Sequence, residues 1–204
     1  MEKLATRSEK QLETRKRNFQ HIVDILNHLK INFFLEGGVL LGAIRDKNFI
    51  EWDWDVEIAL FSEDFDKKFN EILAKLKKEG FEILNYNNSF HHLKINIFKD
   101  DNPKISTFSL FGWSYNSFNK CYIRKDIKIP RNFLNNMIKI NFLEREVLVP
   151  TPPEDYLEYK YGNWKKPLKS SDKTEYLSNK HYKKNSLNLA LHFDKLIKKI
   201  FIKR

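Results

Sequence analysis

Cysteine is all but missing from this chain. Cys121 is the only one in 204 residues, which excludes an intrachain disulfide and any cysteine-built zinc site. Next to Tyr122 and Ile123, in what reads as a strand, it is expected to be a buried, inert thiol. Long apolar runs are missing too. None reaches the roughly 20 residues of a membrane-spanning helix, and the polar start, Met1 to Lys10, is not a secretory signal, so a cytoplasmic protein is expected. Glycine and proline number six each. No repeat, low-complexity linker or break in composition divides the chain, and its length suits one domain with a sizeable core.

Acidic residues are scarce in one place only. The chain carries 37 Lys or Arg against 27 Asp or Glu, a net charge of +10, and the whole excess falls in residues 160–204. Such a tail can attract nucleic acid, anionic lipid or an acidic glycan, and a solvated helix face accounts for it equally well.

What the chain does have is concentrated between residues 33 and 60. The apolar run Phe33 to Leu35 enters a pair of glycines, Gly37 and Gly38, a helix is expected over 39–44, and a second run alternates acids with apolar residues. In an extended strand Asp53, Asp55 and Glu57 point one way while Trp54, Val56 and Ile58 point the other. Three carboxylates a few ångströms apart repel one another unless a cation neutralises them, and hard oxygen donors suit Mg²⁺ or Mn²⁺. Gly37 and Gly38 would let backbone approach a ligand, the following helix would aim N–H groups at an anion, and Arg45 would add a fork for phosphate oxygens. Phosphate on one side and metal on the other suggest a nucleotide. Either feature alone is most often a turn or a solvated strand end; their pairing in one strand-turn-helix-strand unit carries the reading.

Leu35 to Arg45 followed by Phe49 to Glu57 resembles the signature of the LicD and fukutin-related phosphotransferases, usually close to D-G-G-T-L-L-G-A-V-R and then F-I-P-W-D-D-D-I-D. Pro150 to Pro167 is similar to that family's later P…L…YG-x-W…P segment. The resemblance implies the nucleotidyltransferase fold: an α/β (α+β) mixed sheet flanked by helices, with a core over 31–167, an N-terminal amphipathic helix over 1–30 and a basic C-terminal helical extension over 168–204. It implies a metal-dependent transferase that moves a phospho-alcohol, phosphocholine or a polyol phosphate, from a CDP-linked donor to a sugar hydroxyl of a glycan or glycolipid, releasing CMP. Asp53, Asp55 and Glu57 would be the catalytic and metal-holding acids, and Gly37, Gly38 and Arg45 the phosphate cradle. The basic C-terminus would allow peripheral contact with an anionic membrane on its inner face; a nucleic-acid partner is the weaker expectation. The family pattern I-D-I-F places a third acid where this chain has Asn96, an amide that can ligate a cation or bind a phosphate or hydroxyl but cannot act as a base. A nucleotidyltransferase moving NMP from an NTP, and a non-catalytic nucleotide-binding relative, therefore stay open.

The remaining elements are read from period and punctuation. An amphipathic helix is expected over 9–30, with His21 and His28 structural. Ser62 should cap a helix that ends at Gly80, followed by a strand from Phe81 to Tyr86 and a turn at 87–89. His92 to Phe98 alternates as a strand, so His91 and His92 face opposite ways and do not chelate together. Residues 100–103 read as a turn, Lys104 to Phe111 and Lys120 to Ile129 as strands, and Gly112 to Phe118 as an aromatic loop that either stacks a base or encloses a cationic head group or, equally, packs into the core. A hairpin over 137–149, a capping box at Thr151 to Glu154 and a last amphipathic helix over 187–200 complete the chain.

Overall fold

The computed structural model describes residues 5–89, 92–100, 106–125 and 127–178. The helix expected over 187–200, most of the basic tail, His91 and most of the turn at 100–103 lie outside the described residues.

Helix α1, Glu9–His28, begins at Ser8, whose hydroxyl accepts from the Gln11 N–H while the Gln11 side chain accepts from the Ser8 N–H. Its buried stripe includes Phe19, Ile22, Val23 and Leu26. Strand β1, Phe33–Leu35, leads into α2, Gly37–Arg45. The helix starts at the glycine pair itself, two residues before the expected position, because Gly37 supplies the positive φ of +69° that the sharp turn out of β1 requires. After β2, Asp55–Phe61, comes α3, Ser62–Lys78. Ser62 is its first residue and makes no cap; Ser114 Oγ donates to its buried hydroxyl at 2.9 Å.

Strands β3, Glu82–Ser89, and β4, His92–Phe98, form a hairpin. Residues 87–89 are paired strand rather than turn, since the antiparallel partner holds them in register up to Ser89 opposite His92. β5, Thr107–Asn116, absorbs most of the expected aromatic loop. The reason is non-local: β4 and β2 pair with its first part, and β6, Cys121–Arg124, pairs with its end. The stretch read as one strand over 120–129 folds back on itself as β6 and β7, Ile127–Pro130, with Lys125 at φ 53° on the bend. The short helix α4, Asn132–Asn135, was not anticipated; β8, Ile138–Phe142, and β9, Arg145–Val149, are the expected hairpin. Before α5, Pro153–Tyr161, no capping box forms: Pro152 holds the cap position and Thr151 Oγ1 is buried without a partner among the described residues. The last described helix is α6, Lys173–Tyr176.

The main sheet runs β3-β4-β5-β2-β1-β9-β8, with β6 and β7 extending it beside the end of β5. β2 is parallel to β5 and β1 to β9, while the other pairs are antiparallel, so the architecture is a mixed open sheet flanked by helices. Side chains alternate across each strand, and the register aligns Val56, Ile58 and Leu60 of β2 with Phe108, Leu110 and Gly112 of β5 on one face. α3 packs on that face: a Cβ on Gly112 would meet Ser62 Oγ at 2.7 Å. The opposite face carries the acids. Cys121 is buried as expected. Among the described residues no helix is long and apolar enough to cross a membrane.

Candidate active site

The chain turns into β2 through Asp53, whose N–H donates to the Ile50 carbonyl at 3.0 Å. From there alternation sends Asp55 and Glu57 to the polar face, beside Thr107 and Ser109 of β5. The two glycines of α2 lie directly over these acids. A Cβ on Gly37 would stand 2.0 Å from Glu57 Oε2, and one on Gly38 would stand 1.8 Å from Asp53 Oδ2. The bare backbone at 37–38 therefore makes room for the protein's own carboxylates, where a close approach to ligand was expected.

Above this floor lies a cavity of about 680 Å³ that Asp53, Asp55, Glu57, Gly38, Arg45 and Arg124 help to line. Trp52, Trp54, Trp113 and Trp164, all four tryptophans of the chain, form part of its wall. Arg45 reaches the cavity, but its guanidinium is held bidentately by Asp46, at 2.7 and 2.8 Å, and donates to the Trp164 carbonyl at 3.3 Å. Asn96 faces the same side of the sheet as Glu57, yet Ser109 of β5 stands between them in the same row. Two strand spacings, roughly 9.6 Å, separate β4 from β2. The Asn96 amide is engaged locally: its Oδ1 accepts from Ser109 Oγ at 2.8 Å and its Nδ2 donates to Asn85 Oδ1 at 2.6 Å. The third position of the family pattern is thus displaced from the acids, and Asn96 does not line the cavity.

Burial and mutual repulsion dominate the electrostatics. Burial pushes the Asp53 carboxyl up to about 6, with Glu57 adding to the rise and Arg15 opposing it. Burial again, then the charges of Glu57 and Asp53, hold Asp55 well above the ordinary carboxylate range, and Lys94 offsets only part of this. Tyr161 and Tyr176 also line the cavity; burial raises both phenols, that of Tyr176 to about 12, so both stay neutral hydrogen-bonding groups. A divalent cation fits the donor chemistry, which consists of desolvated, mutually repelling carboxylate oxygens. Among the described residues no three acidic, His or Cys side chains are drawn together so as to hold an ion by themselves.

Several residues at the site escaped the sequence reading. Arg15 of α1 is buried beneath the acids, donating from Nη1 to the Asp53 carbonyl at 2.7 Å and from Nε to Ser106 Oγ at 3.2 Å. Its signal was present: Arg15 falls on the apolar stripe between Leu12 and Phe19. Glu36 is buried at the start of α2, where Lys160 forms an ion pair with it and Tyr156 Oη donates to it at 2.7 Å, tying α5 to the glycine turn. A lone acid closing the apolar run Phe33 to Leu35 was the trace of that arrangement. Arg124 and Lys94 left no local trace.

An open mixed sheet, helices packed against it, and acids gathered over a glycine turn define a nucleotidyltransferase-like α/β domain. Comparison with known proteins carries this further: the chain belongs to the LicD/FKTN/FKRP nucleotidyltransferase-domain family, whose model matches residues 30–152. The ribitol 5-phosphate transferase FKRP of Homo sapiens is 24% identical over 159 residues, covering 70% of this chain and 30% of FKRP. The Mus musculus protein of the same name is 23% identical over the same shares. An uncharacterized protein of Rickettsia typhi is 35% identical over 60 residues, 29% of this chain and 19% of that protein. The chain thus spans about a third of the length of the FKRP relatives it matches. Among solved structures it is similar to the solution structure of the antibiotic-resistance factor ANT(2'')-Ia, with TM-score 0.48, 11% identity, and 68% of this chain and 66% of that one covered. The crystal structure of ANT(2'')-Ia with adenylyl-2''-tobramycin gives TM-score 0.47 and 12% identity over 72% and 76% of the two chains. These two likenesses are weak and concern outline alone.

Proposed function

We propose that this domain is a metal-dependent phosphotransferase that moves a phospho-alcohol from a CDP-linked donor to a sugar hydroxyl of a glycan or glycolipid and releases CMP. The observation that carries the reading is the floor of the cavity, where Gly37 and Gly38 open onto Glu57 and Asp53, and where Asp53 and Asp55 are desolvated and repelled by the charge of Glu57. Such an arrangement weakens the protein unless a cation and its phosphate complete it. The name of the FKRP relatives, ribitol 5-phosphate transferase, favours a polyol phosphate as the transferred group.

In this reading the acceptor oxygen attacks the phosphorus that bears the alcohol. The bond from that phosphorus to the bridging oxygen breaks, and CMP departs with the bridging oxygen and its electron pair. Asp53 orients the acceptor hydroxyl and takes its proton. Asp55 and Glu57, with Asp53 beside them, would hold Mg²⁺ or Mn²⁺, which when bound neutralises charge on the diphosphate. Trp52, Trp54 and Trp164 wall the cavity and exclude water from the donor.

The test is a product assay with CDP-ribitol, CDP-glycerol and CDP-choline as donors. Asp55→Ala is expected to lower CMP release by roughly 10³-fold or more while the circular dichroism spectrum stays native. Undiminished release from the variant refutes the mechanism, and pyrophosphate from an NTP in place of CMP would mark a nucleotidyltransferase.

A further inference from the structure

Three arginines approach the acid face, and they differ in what their N–H groups do. Arg15 is bonded to Asp53 and Ser106, and Arg45 to Asp46 and Trp164. Arg124 is held another way. Its guanidinium carbon lies 3.7 Å from the Phe111 ring centroid and 5.7 Å from that of Trp113, two residues that the β5 register puts on the acid face. The side chain is only 12% exposed, Nε is buried without a hydrogen-bond partner among the described residues, and the ion pair from Nη2 to Glu57 Oε1 is 3.9 Å long, beyond hydrogen-bond range. The neighbouring Trp113 Nε1 is likewise buried without an acceptor among the described residues.

A buried donor left without an acceptor destabilises the fold, more so when it is charged. Stacking fixes the plane of a guanidinium and leaves its edge open, the geometry that suits bidentate contact with phosphate oxygens. Arg124 lines the cavity beside Glu57 and Asp55.

We propose that Arg124, stacked on Phe111 and Trp113, is the phosphate-gripping cation of this site, taking the diphosphate of the nucleotide-linked donor in the role expected of Arg45. This inference rests on the phosphotransferase reading above for the identity of the ligand. Arg45, clamped by Asp46 and the Trp164 carbonyl, acts as a brace between α2 and the segment after α5.

Calorimetric titration of the full chain with inorganic pyrophosphate and with CDP, both in Mg²⁺, tests it. Arg124→Met is expected to weaken binding of both roughly 10- to 100-fold, and Arg124→Lys, which keeps the charge but loses the fork, to recover only part. CMP release should fall in kcat more than KM rises, because charge on the transferred phosphoryl group grows toward the transition state. Wild-type affinity for pyrophosphate in Arg124→Met overturns the inference and leaves the phosphotransferase reading intact. Loss of pyrophosphate binding in a chain that releases no CMP from any CDP donor keeps Arg124 as the anion site and overturns the reading. A wild-type chain that binds neither ligand overturns both. Melting temperature monitors the fold; should Arg124→Met not fold, Arg124→Lys decides, and unchanged affinity there overturns the proposal.

Discussion

The two faces of the central strands are built from the same residues in alternation and have opposite characters. On one face Val56, Ile58, Leu60, Phe108 and Leu110 are almost wholly buried and α3 packs across them. On the other, Asp55 and Glu57 face a cavity, and burial raises the energy of the Asp55 charge. The first face is satisfied by the chain itself. The second is not: packing keeps Asp53 and Asp55 desolvated beside Glu57, and the proposed function rests on that face.

The contrast can be broken most severely by adding a single methyl group on the acid side. In Gly38→Ala the new Cβ would fall 1.8 Å from Asp53 Oδ2, so the carboxylate must move by more than an ångström. Misplacement on that scale is expected to cost about 100-fold in CMP release, measured beside melting temperature. Removing carbon from the opposite face should do the reverse. Ile58→Ala is expected to lose about 2–5 kcal/mol in chemical denaturation, and the surviving folded fraction should keep its affinity for CDP.

The smallest effect concerns pH. Asp53 holds its proton up to about 6 in the folded chain, against 3.8 when unperturbed. Between these values the native state binds a proton that the unfolded state has released. The contribution of this group to stability is therefore complete below about pH 4 and lost as the pH rises through about 6. In EDTA, Asp53→Asn should gain stability relative to wild type across that window and show no further gain above it. A difference that is flat from pH 4 to 7 would show that Asp53 is not desolvated as the geometry requires.

The acid face was only half legible in the sequence, and distance along the chain explains which half. Gly37, Gly38, Asp53, Asp55 and Glu57 fall within 21 residues, so turn chemistry and, for Asp55 and Glu57, strand alternation place them; Asp53 and Trp54 precede β2, and Trp54, expected on the other face, lines the cavity with the acids. Arg124 arrives through the pairing of β6 with the end of β5, and Lys160 reaches Glu36 across 124 residues. No local pattern announces either. Non-local pairing, with β2 at Gly112 and Trp113 and with β6 from Ser114 to Asn116, likewise turned an expected loop into strand and placed Trp113 on the cavity wall. Asn96 shows the converse: its alternation within β4 was read correctly, but β5 stands between it and the acids, which only sheet order reveals. Arg15 was readable in principle as a charge on an apolar stripe.

The central claim is that the acid face is completed by a divalent cation and the diphosphate it carries. The melting temperature of wild type and Asp55→Asn, each with and without Mg²⁺ and CDP at about one hundred times the dissociation constant for wild type, tests this directly. Wild type should rise by roughly 5–10 °C, while Asp55→Asn, relieved of a desolvated charge, should start at or above the wild-type value and not respond. An equal rise in both proteins, or none in wild type, would contradict the account.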